Sequence, residues 1–481
     1  MRPPPRRETP ALLRRTAELA IDYLASLPER PVRVDHDVAA IRSSLIGPLP
    51  EDGEDPLRVI EDLVAKADRG IVAMAGPRYF GFVIGGSLPA AVAADWMTSA
   101  WDQNAGIYVG GPAASVVEEA VGGWLIDLFG LPAGSGFGLT TGCQMANFAC
   151  LAAARHAVLA RRGWSVEERG LYGSPEIDMI VGDEAHATLF TALQYLGLGR
   201  DRVIRVETDP QGRMRADALR AALPDHDRPL IVCLQAGNVN TGAFDPFDPV
   251  IDAVRERDGA WVHIDGAFGL WAAASPDLRP LLAGAERADS WATDGHKSLN
   301  VPYDAGFAFV ADPTQHAAAL APPSAAYIEL GESERDEFQW VPEYSRRARG
   351  FTSYAALRSL GRSGVREMVE QCCAVARRIA EQLAANEGVS VLNDVVFNQV
   401  LVHFDPPSGA DDGAFTRHVT RRVQEEGTCW LSGTTWHGTA AMRVSVSNWS
   451  TTAADADRTV EAILGCAREA ALADGRAVSR G

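Results

Sequence analysis

The chain has 481 residues, 47% of them hydrophobic and 22% charged. That balance is ordinary for a globular enzyme, and the length calls for two or three domains. A formal net charge of −18 argues against a nucleic-acid partner, which would want a basic face.

Residues 1–75 read as a helical arm. Met1-Arg-Pro-Pro-Pro-Arg-Arg7 is basic, but Ala11–Leu27 carries Arg14, Arg15, Glu18 and Asp22. That pattern is an amphipathic helix, not a secretion signal. Such an arm buries little alone and is expected to pack on a partner subunit. No run approaches the ~18 apolar residues of a membrane span, and the expected location is the cytoplasm. Gly76–Gly111, rich in glycine and aromatics, is expected to form long loops.

From there short apolar runs alternate with helical stretches. Strands are expected at Phe137–Thr140, Asp178–Val181, Val203–Glu207, Leu230–Gln235, Trp261–Ile264, Ser290–Thr293 and Gly306–Val310. Helices are expected at Gln144–Arg161, Thr188–Leu198, Asp217–Ala222 and Pro249–Arg257. This alternation predicts a mostly parallel sheet covered on both faces, a large α/β domain over 76–344. Residues 345–481 predict a smaller α+β domain, with a long amphipathic helix at Tyr354–Ala385 and strands at Val395–Phe404 and Ala441–Val446.

The seven cysteines (143, 150, 233, 372, 373, 429 and 466) include no C-x-x-C pair. They read as reduced thiols of an intracellular protein.

Five polar clusters follow predicted strands. They are Thr141-Gly-Cys-Gln144, Glu184-Ala-His186, Gly237-Asn-Val-Asn240, Asp265 with Ala267, and Asp294-Gly-His-Lys297. In open α/β sheets ligands bind beyond the C-terminal strand ends, so the five describe one site. The start of the helix after Thr140 offers backbone N–H groups to a phosphate. Glu184 and His186 alone could hint at a metal, but no second His or Cys sits at ligand spacing, and none is expected. Lys297, set between apolar runs next to His296, is well placed to be held and used rather than solvated. A lysine that forms a Schiff base and an acid that pairs with a pyridinium nitrogen are the groups that pyridoxal phosphate (PLP) chemistry most needs. Lys297 and Asp265 are that pair.

These residues resemble the PLP-dependent group II amino-acid decarboxylases, the family of aromatic-amino-acid and glutamate decarboxylases on the fold-type I scaffold, and within it a bacterial branch. The likeness runs from about Arg78 to about Asp455. It rests on His263-Ile-Asp-Gly-Ala267 and Ser290-Trp-Ala-Thr-Asp-Gly-His-Lys297. Pro77-Arg-Tyr-Phe-Gly-Phe-Val83, Gly237–Asp245 and Ser345-Arg-Arg-Ala-Arg349 support it.

The resemblance implies fold type I, with a seven-stranded sheet, a helical N-terminal arm and a small C-terminal domain. It also implies a homodimer with the site at the subunit interface. Lys297 would bind the cofactor, Asp265 would pair with its ring nitrogen, and His186 would stack on the ring. Thr141, Gly142, Cys143 and Gln144 would hold the phosphate, with Asp294 and His296 near it. Asn238 would line the ring edge and Ala267 the ring face. Tyr327 would return a proton to Cα after CO2 leaves, a task Lys297 could share.

Two positions depart from the family pattern: Ser298 where an aromatic is usual, and Cys143 where Gly or Ala is common. Phe80, Phe82, Trp101, Tyr108 and Trp436 are candidate pocket aromatics, which points to an aromatic or bulky apolar L-amino acid. Arg443 could clasp the α-carboxylate, as in aminotransferases, or bond carbonyls between domains; the resemblance implies the second. An aldehyde synthase, a C–C lyase, a transaminase and a non-catalytic PLP-binding protein stay open as alternatives.

Overall fold

All seven expected strands pair into one sheet. In the computed structural model, which describes residues 9–33, 37–322, 334–406 and 412–478, they are β1 (Gly136–Thr140), β2 (Asp178–Gly182), β3 (Ile204–Val206), β4 (Leu230–Gln235), β5 (Trp261–Asp265), β6 (Ser290–Asp294) and β7 (Gly306–Val310). The strand order is β1-β7-β6-β5-β4-β2-β3. Only β7 runs against its neighbours. The others are parallel where they pair.

Strand side chains alternate between two buried faces. Val232, Leu234, Val262, Ile264, Trp291, Phe307 and Phe309 join one core cluster. Ile231, Cys233, Trp261, Ala292, Ala308 and Val310 join another, closed by the alanine-rich helix Cys143–Ala160. Asp265 shares the parity of Trp261 and His263, so all three point toward that helix's side of the sheet.

A second sheet, antiparallel throughout, has β8 (Val389–Val391), β9 (Gln399–Phe404), β10 (Ser432–Trp436) and β11 (Thr439–Ser445) in the order β10-β11-β9-β8. Its β8 and β10 escape the sequence reading because three residues, or a Gly/Thr run, carry little apolar signal. The long helix is found at Gly350–Ala384, but it is broken at Gly361, where φ is +60°. Ala356 before the break and Val365 and Val369 after it pack on the large sheet's core. The helix's later part packs on the small sheet through Val375, Ala376 and Ile379.

One expectation fails. Gly76–Gly111 is not all loop, since Pro89–Trp101 is a helix. Pro89 at the helix start and the alanines behind it outweigh the surrounding glycines. The N-terminal helices Thr9–Ser26, Val38–Leu45 and Pro56–Ala67 contain no fully buried residue. Among the described residues no helix is long and apolar enough to cross a membrane.

Candidate active site

The ends of β4, β5 and β6 stand side by side. Gln235 pairs with Asp265, and Asp265 with Ala292, two residues before Asp294. Because β7 runs the other way, its first residue, Gly306, lies at the same edge, opposite Asp294 and Thr140. A Cβ on Gly306 would come within 2.4 Å of the Gly142 backbone, so glycine there lets the turn after β1 press against the sheet. That turn opens the helix Cys143–Ala160.

A cavity of about 460 Å³ lies beyond this edge. Gly142, Cys143, Gln144, His186, Asp265, Ala267, Asp294, His296 and Lys297 all face it. Nine residues singled out from sequence thus converge on one space. Thr141 and Asn238 do not line it. The Asn238 Oδ1 accepts from the N–H groups of Asn240 (2.8 Å) and Thr241 (3.2 Å), and its Nδ2 donates to the Glu184 carbonyl at 3.4 Å, so its side chain is spent on bracing its own turn and the loop after β2. Val239 faces the cavity instead. Tyr327 lies outside the described residues.

Of the five candidate aromatics only Phe82 lines the cavity. Phe80 is in the small-sheet core. Trp436 is buried beside Leu401 and Ala441, with its indole N–H on the Pro210 carbonyl at 3.2 Å. Trp101 packs edge-on against Phe351 at 4.9 Å. Tyr108 opens a short 3-10 turn and does not reach the cavity wall.

Asp294 is the electrostatic hub. Its Oδ2 meets Lys297 Nζ at 2.9 Å, and its Oδ1 accepts the Cys143 N–H at 2.6 Å. His296 Nε2 lies 3.3 Å from the same Oδ1, while Nδ1 accepts the Ala305 N–H at 3.2 Å. Burial pulls the Lys297 ammonium down, but the Asp294 carboxylate outweighs it and holds the group above the usual lysine range. Burial also lowers His296 and His186. His186 caps the helix Ala187–Tyr195 and takes the Thr188 N–H on Nδ1 at 3.3 Å.

Asp265 sits deeper. Its Oδ1 receives the Ala267 N–H at 3.1 Å and the Cys143 thiol at 3.4 Å. Its Oδ2 receives the Asn147 amide at 3.0 Å. Burial pushes the Cys143 thiol well up, with Asp265 and Asp294 adding to it, which makes Cys143 a donor rather than a nucleophile. All seven cysteines are free and buried.

Arg443 reaches the cavity from β11. It donates to the Val239 carbonyl at 3.2 Å, which joins the small sheet to the β4 loop. Its Nε is buried without a partner, and burial brings its guanidinium down to about 10. Gly237, from the cluster after β4, also lines the cavity. Gln235, Val239, Phe268, Thr188 and Val83 complete the wall. The sequence reading missed them, although the strand-end rule that selected Asp265 also selects Gln235, its partner in register.

The chain matches the model of the pyridoxal-dependent decarboxylase conserved domain over residues 43–405. It belongs to the pyridoxal-dependent decarboxylase family. Among curated relatives, an acidic amino acid decarboxylase of Bos taurus is 29% identical over 344 residues. That alignment covers 69% of this chain and 64% of the bovine protein, just under two thirds of its length. An aromatic-L-amino-acid decarboxylase of Bacillus atrophaeus is 25% identical over 446 residues, 90% of each chain. In fold the chain is similar to Oryza sativa TDC, solved with PLP and tryptamine, with a TM-score of 0.90 at 22% identity over 98% of this chain and 99% of that one. Mouse CSAD gives 0.89 at 22% identity, over 96% and 99%.

The cofactor of this pyridoxal-dependent decarboxylase is pyridoxal 5'-phosphate, and the site fits it. An amine, a buried carboxylate and the first turn of an 18-residue helix border one cavity, with an unpartnered buried nitrogen of Arg443 in its wall. Ser298, the departure beside Lys297, gives its hydroxyl to the Phe268 carbonyl at 3.2 Å, so it braces the cavity's rear wall.

Proposed function

We propose that this decarboxylase acts on an L-amino acid with an aromatic or bulky apolar side chain, with Lys297, Asp265 and His186 as its central residues. The reaction class follows from the family: PLP-dependent loss of CO2 from an amino acid. Bound PLP supplies an electron sink for the charge left on Cα. Lys297 would hold the cofactor covalently and release it to the substrate amine. Asp265 would accept a hydrogen bond from the ring nitrogen. His186 would cover the ring face opposite Ala267. Gly142 and Gln144, with Thr141 behind them, would present helix-start N–H groups to the phosphate, with Cys143, whose own N–H is on Asp294, between them. Lys297 must first leave Asp294, and that carboxylate is already on the Cys143 N–H. Tyr327, on sequence grounds, would return the proton to Cα.

The observation that carries this reading is the convergence of Lys297, Asp265 and His186 on one cavity. Phe82, Val83, Val239 and Phe268 on its wall support an apolar side chain. A second reading has its own observation. Arg443 is a buried guanidinium on that wall with an unpartnered nitrogen, and it would suit an acidic side chain. The two relatives described above, one aromatic and one acidic, are compatible with either.

We also propose a cytoplasmic homodimer. Leu13, Ile21 and Leu63 are 61%, 56% and 52% exposed on arm helices that contain no fully buried residue in one chain; a second copy would cover them. Light scattering of the purified protein tests this, and a monomer would refute it.

The deciding experiment follows CO2, amine, ammonia and peroxide together, from PLP-loaded protein and a panel of L-amino acids in air. Equal CO2 and amine from an aromatic substrate support the main reading. The same from glutamate or aspartate moves the assignment to Arg443. Ammonia and peroxide with CO2 indicate an aldehyde synthase. No CO2 from any substrate removes the decarboxylase.

A further inference from the structure

Behind Asp265 runs a line of buried polar groups that the reading above does not use. Asn147 Oδ1 lies 2.8 Å from His263 Nε2. His263 Nδ1 lies 2.9 Å from Ser290 Oγ, and the Trp261 indole N–H donates to that same Oγ at 2.9 Å. Asn147, His263 and Ser290 are completely buried, and Trp261 nearly so. The line exists because Trp261, His263 and Asp265 alternate onto one face of β5, while Asn147 sits one turn inside the helix that covers that face.

The proton positions follow from the two ends. An indole N–H can only donate, and a carboxylate can only accept. Asn147 therefore turns Nδ2 to Asp265 and Oδ1 to His263. His263 carries its proton on Nε2 and accepts the Ser290 hydroxyl on Nδ1. Ser290 accepts from Trp261. Burial brings His263 down to about 4, so it is neutral, with the one donor and one acceptor that the line needs.

We infer that Asn147, His263 and Ser290 are positioning residues: a one-way hydrogen-bond relay that fixes the rotation of the Asp265 carboxylate for the cofactor's ring nitrogen. A carboxylate has about four acceptor positions. Ala267 and Cys143 take two on Oδ1, and Asn147 takes one on Oδ2. One position on Oδ2 is left for a donor in the cavity. Without Asn147 the carboxylate could swing, and that position would no longer be aimed. This inference rests on the proposed pairing of Asp265 with the ring nitrogen.

The test compares PLP with its 1-deaza analogue, in which carbon replaces the ring nitrogen. Dissociation constants are measured for the full-length apoprotein, Asn147→Leu and Ser290→Ala, with the thermal melt of each apoprotein alongside. Wild type should prefer PLP. Asn147→Leu should lose about tenfold of its PLP affinity, as expected when a charge-assisted hydrogen bond is misdirected, and should bind the analogue as wild type does. Ser290→Ala should shift the same way by less. Should Asn147→Leu fail to fold, Ser290→Ala carries the comparison alone. Equal losses on both cofactors, or none, would overturn the relay and leave a structural network only. A wild type that binds both cofactors equally would overturn the Asp265 pairing itself, and the relay's purpose with it.

Discussion

The Lys297 ammonium and the Asp294 carboxylate, one turn apart, meet at 2.9 Å. An amine attacks a carbonyl only without its proton, and this pair keeps the proton on, because Asp294 holds Lys297 above the usual lysine range. Asp294→Asn keeps an acceptor for the Cys143 N–H but removes the charge. The pH midpoint for capture of PLP by Lys297 should fall by about one unit or more, read from the visible absorbance of the bound cofactor. An unchanged or raised midpoint would contradict the pair's role. Lys297→Ala should abolish the band altogether.

Arg443 sets a second expectation. A guanidinium that only bridges to the Val239 carbonyl can be replaced by Gln with a modest effect on every substrate. One that anchors a substrate carboxylate cannot. If the substrate side chain is apolar, Arg443→Gln should change kcat/KM by less than about tenfold, whereas an anchored acidic substrate should lose about 100-fold, the usual loss when a charged hydrogen-bond partner is removed. Kinetics on one aromatic and one acidic amino acid decide it.

Glu337 gives a pH dependence remote from the cavity. Burial, reinforced by Glu118, pushes its carboxyl up to about 7 from 4.5. Its Oε2 accepts the Ser115 hydroxyl at 2.8 Å. The folded chain thus keeps a proton that the unfolded chain releases, and Glu337 costs stability as pH rises from about 4.5 to 7. Glu337→Gln should be more stable than wild type at pH ~8, by on the order of 2 kcal/mol, with the difference shrinking toward pH ~5. Urea unfolding at both pH values checks it; a gap independent of pH would sink the assignment.

Asn300 ties three segments together. Its Oδ1 accepts the N–H groups of Gly86 (2.6 Å) and Trp449 (3.0 Å), and its Nδ2 donates to the Ser447 carbonyl at 2.9 Å. It is fully buried and sits at φ +54°. Asn300→Ala should lower stability by about 3 kcal/mol or more, since it strands buried groups and places alanine at an unfavourable φ. Asn300→Gly removes the backbone strain but not the lost bonds, so it should recover only about 1 kcal/mol. Full recovery in the glycine variant would show that the bonds contribute nothing.

The large sheet and most of the candidate residues are legible in local sequence pattern. Leu230–Leu234 is apolar throughout, and Trp261–Ile264 is apolar but for His263, as a strand buried on both faces requires, and the polar residue that follows each run must then lie at a sheet edge. Lys297, Asp265, His186, Cys143 and Gln144 were legible for that reason. Tertiary structure alone decided what each side chain does at that edge. Asn238 follows β4 as Asp265 ends β5, yet its amide is consumed by its own turn and the Glu184 carbonyl, and Val239 takes the place at the cavity. Phe80 and Phe82 are two residues apart, and only Phe82 reaches the site. Arg443 comes to the wall from another sheet, and Asn147 reaches Asp265 across 118 positions of chain. Local pattern fixes which residues end a strand. Hydrogen-bond partners and packing between distant segments fix where their side chains point, and no period in the sequence records them.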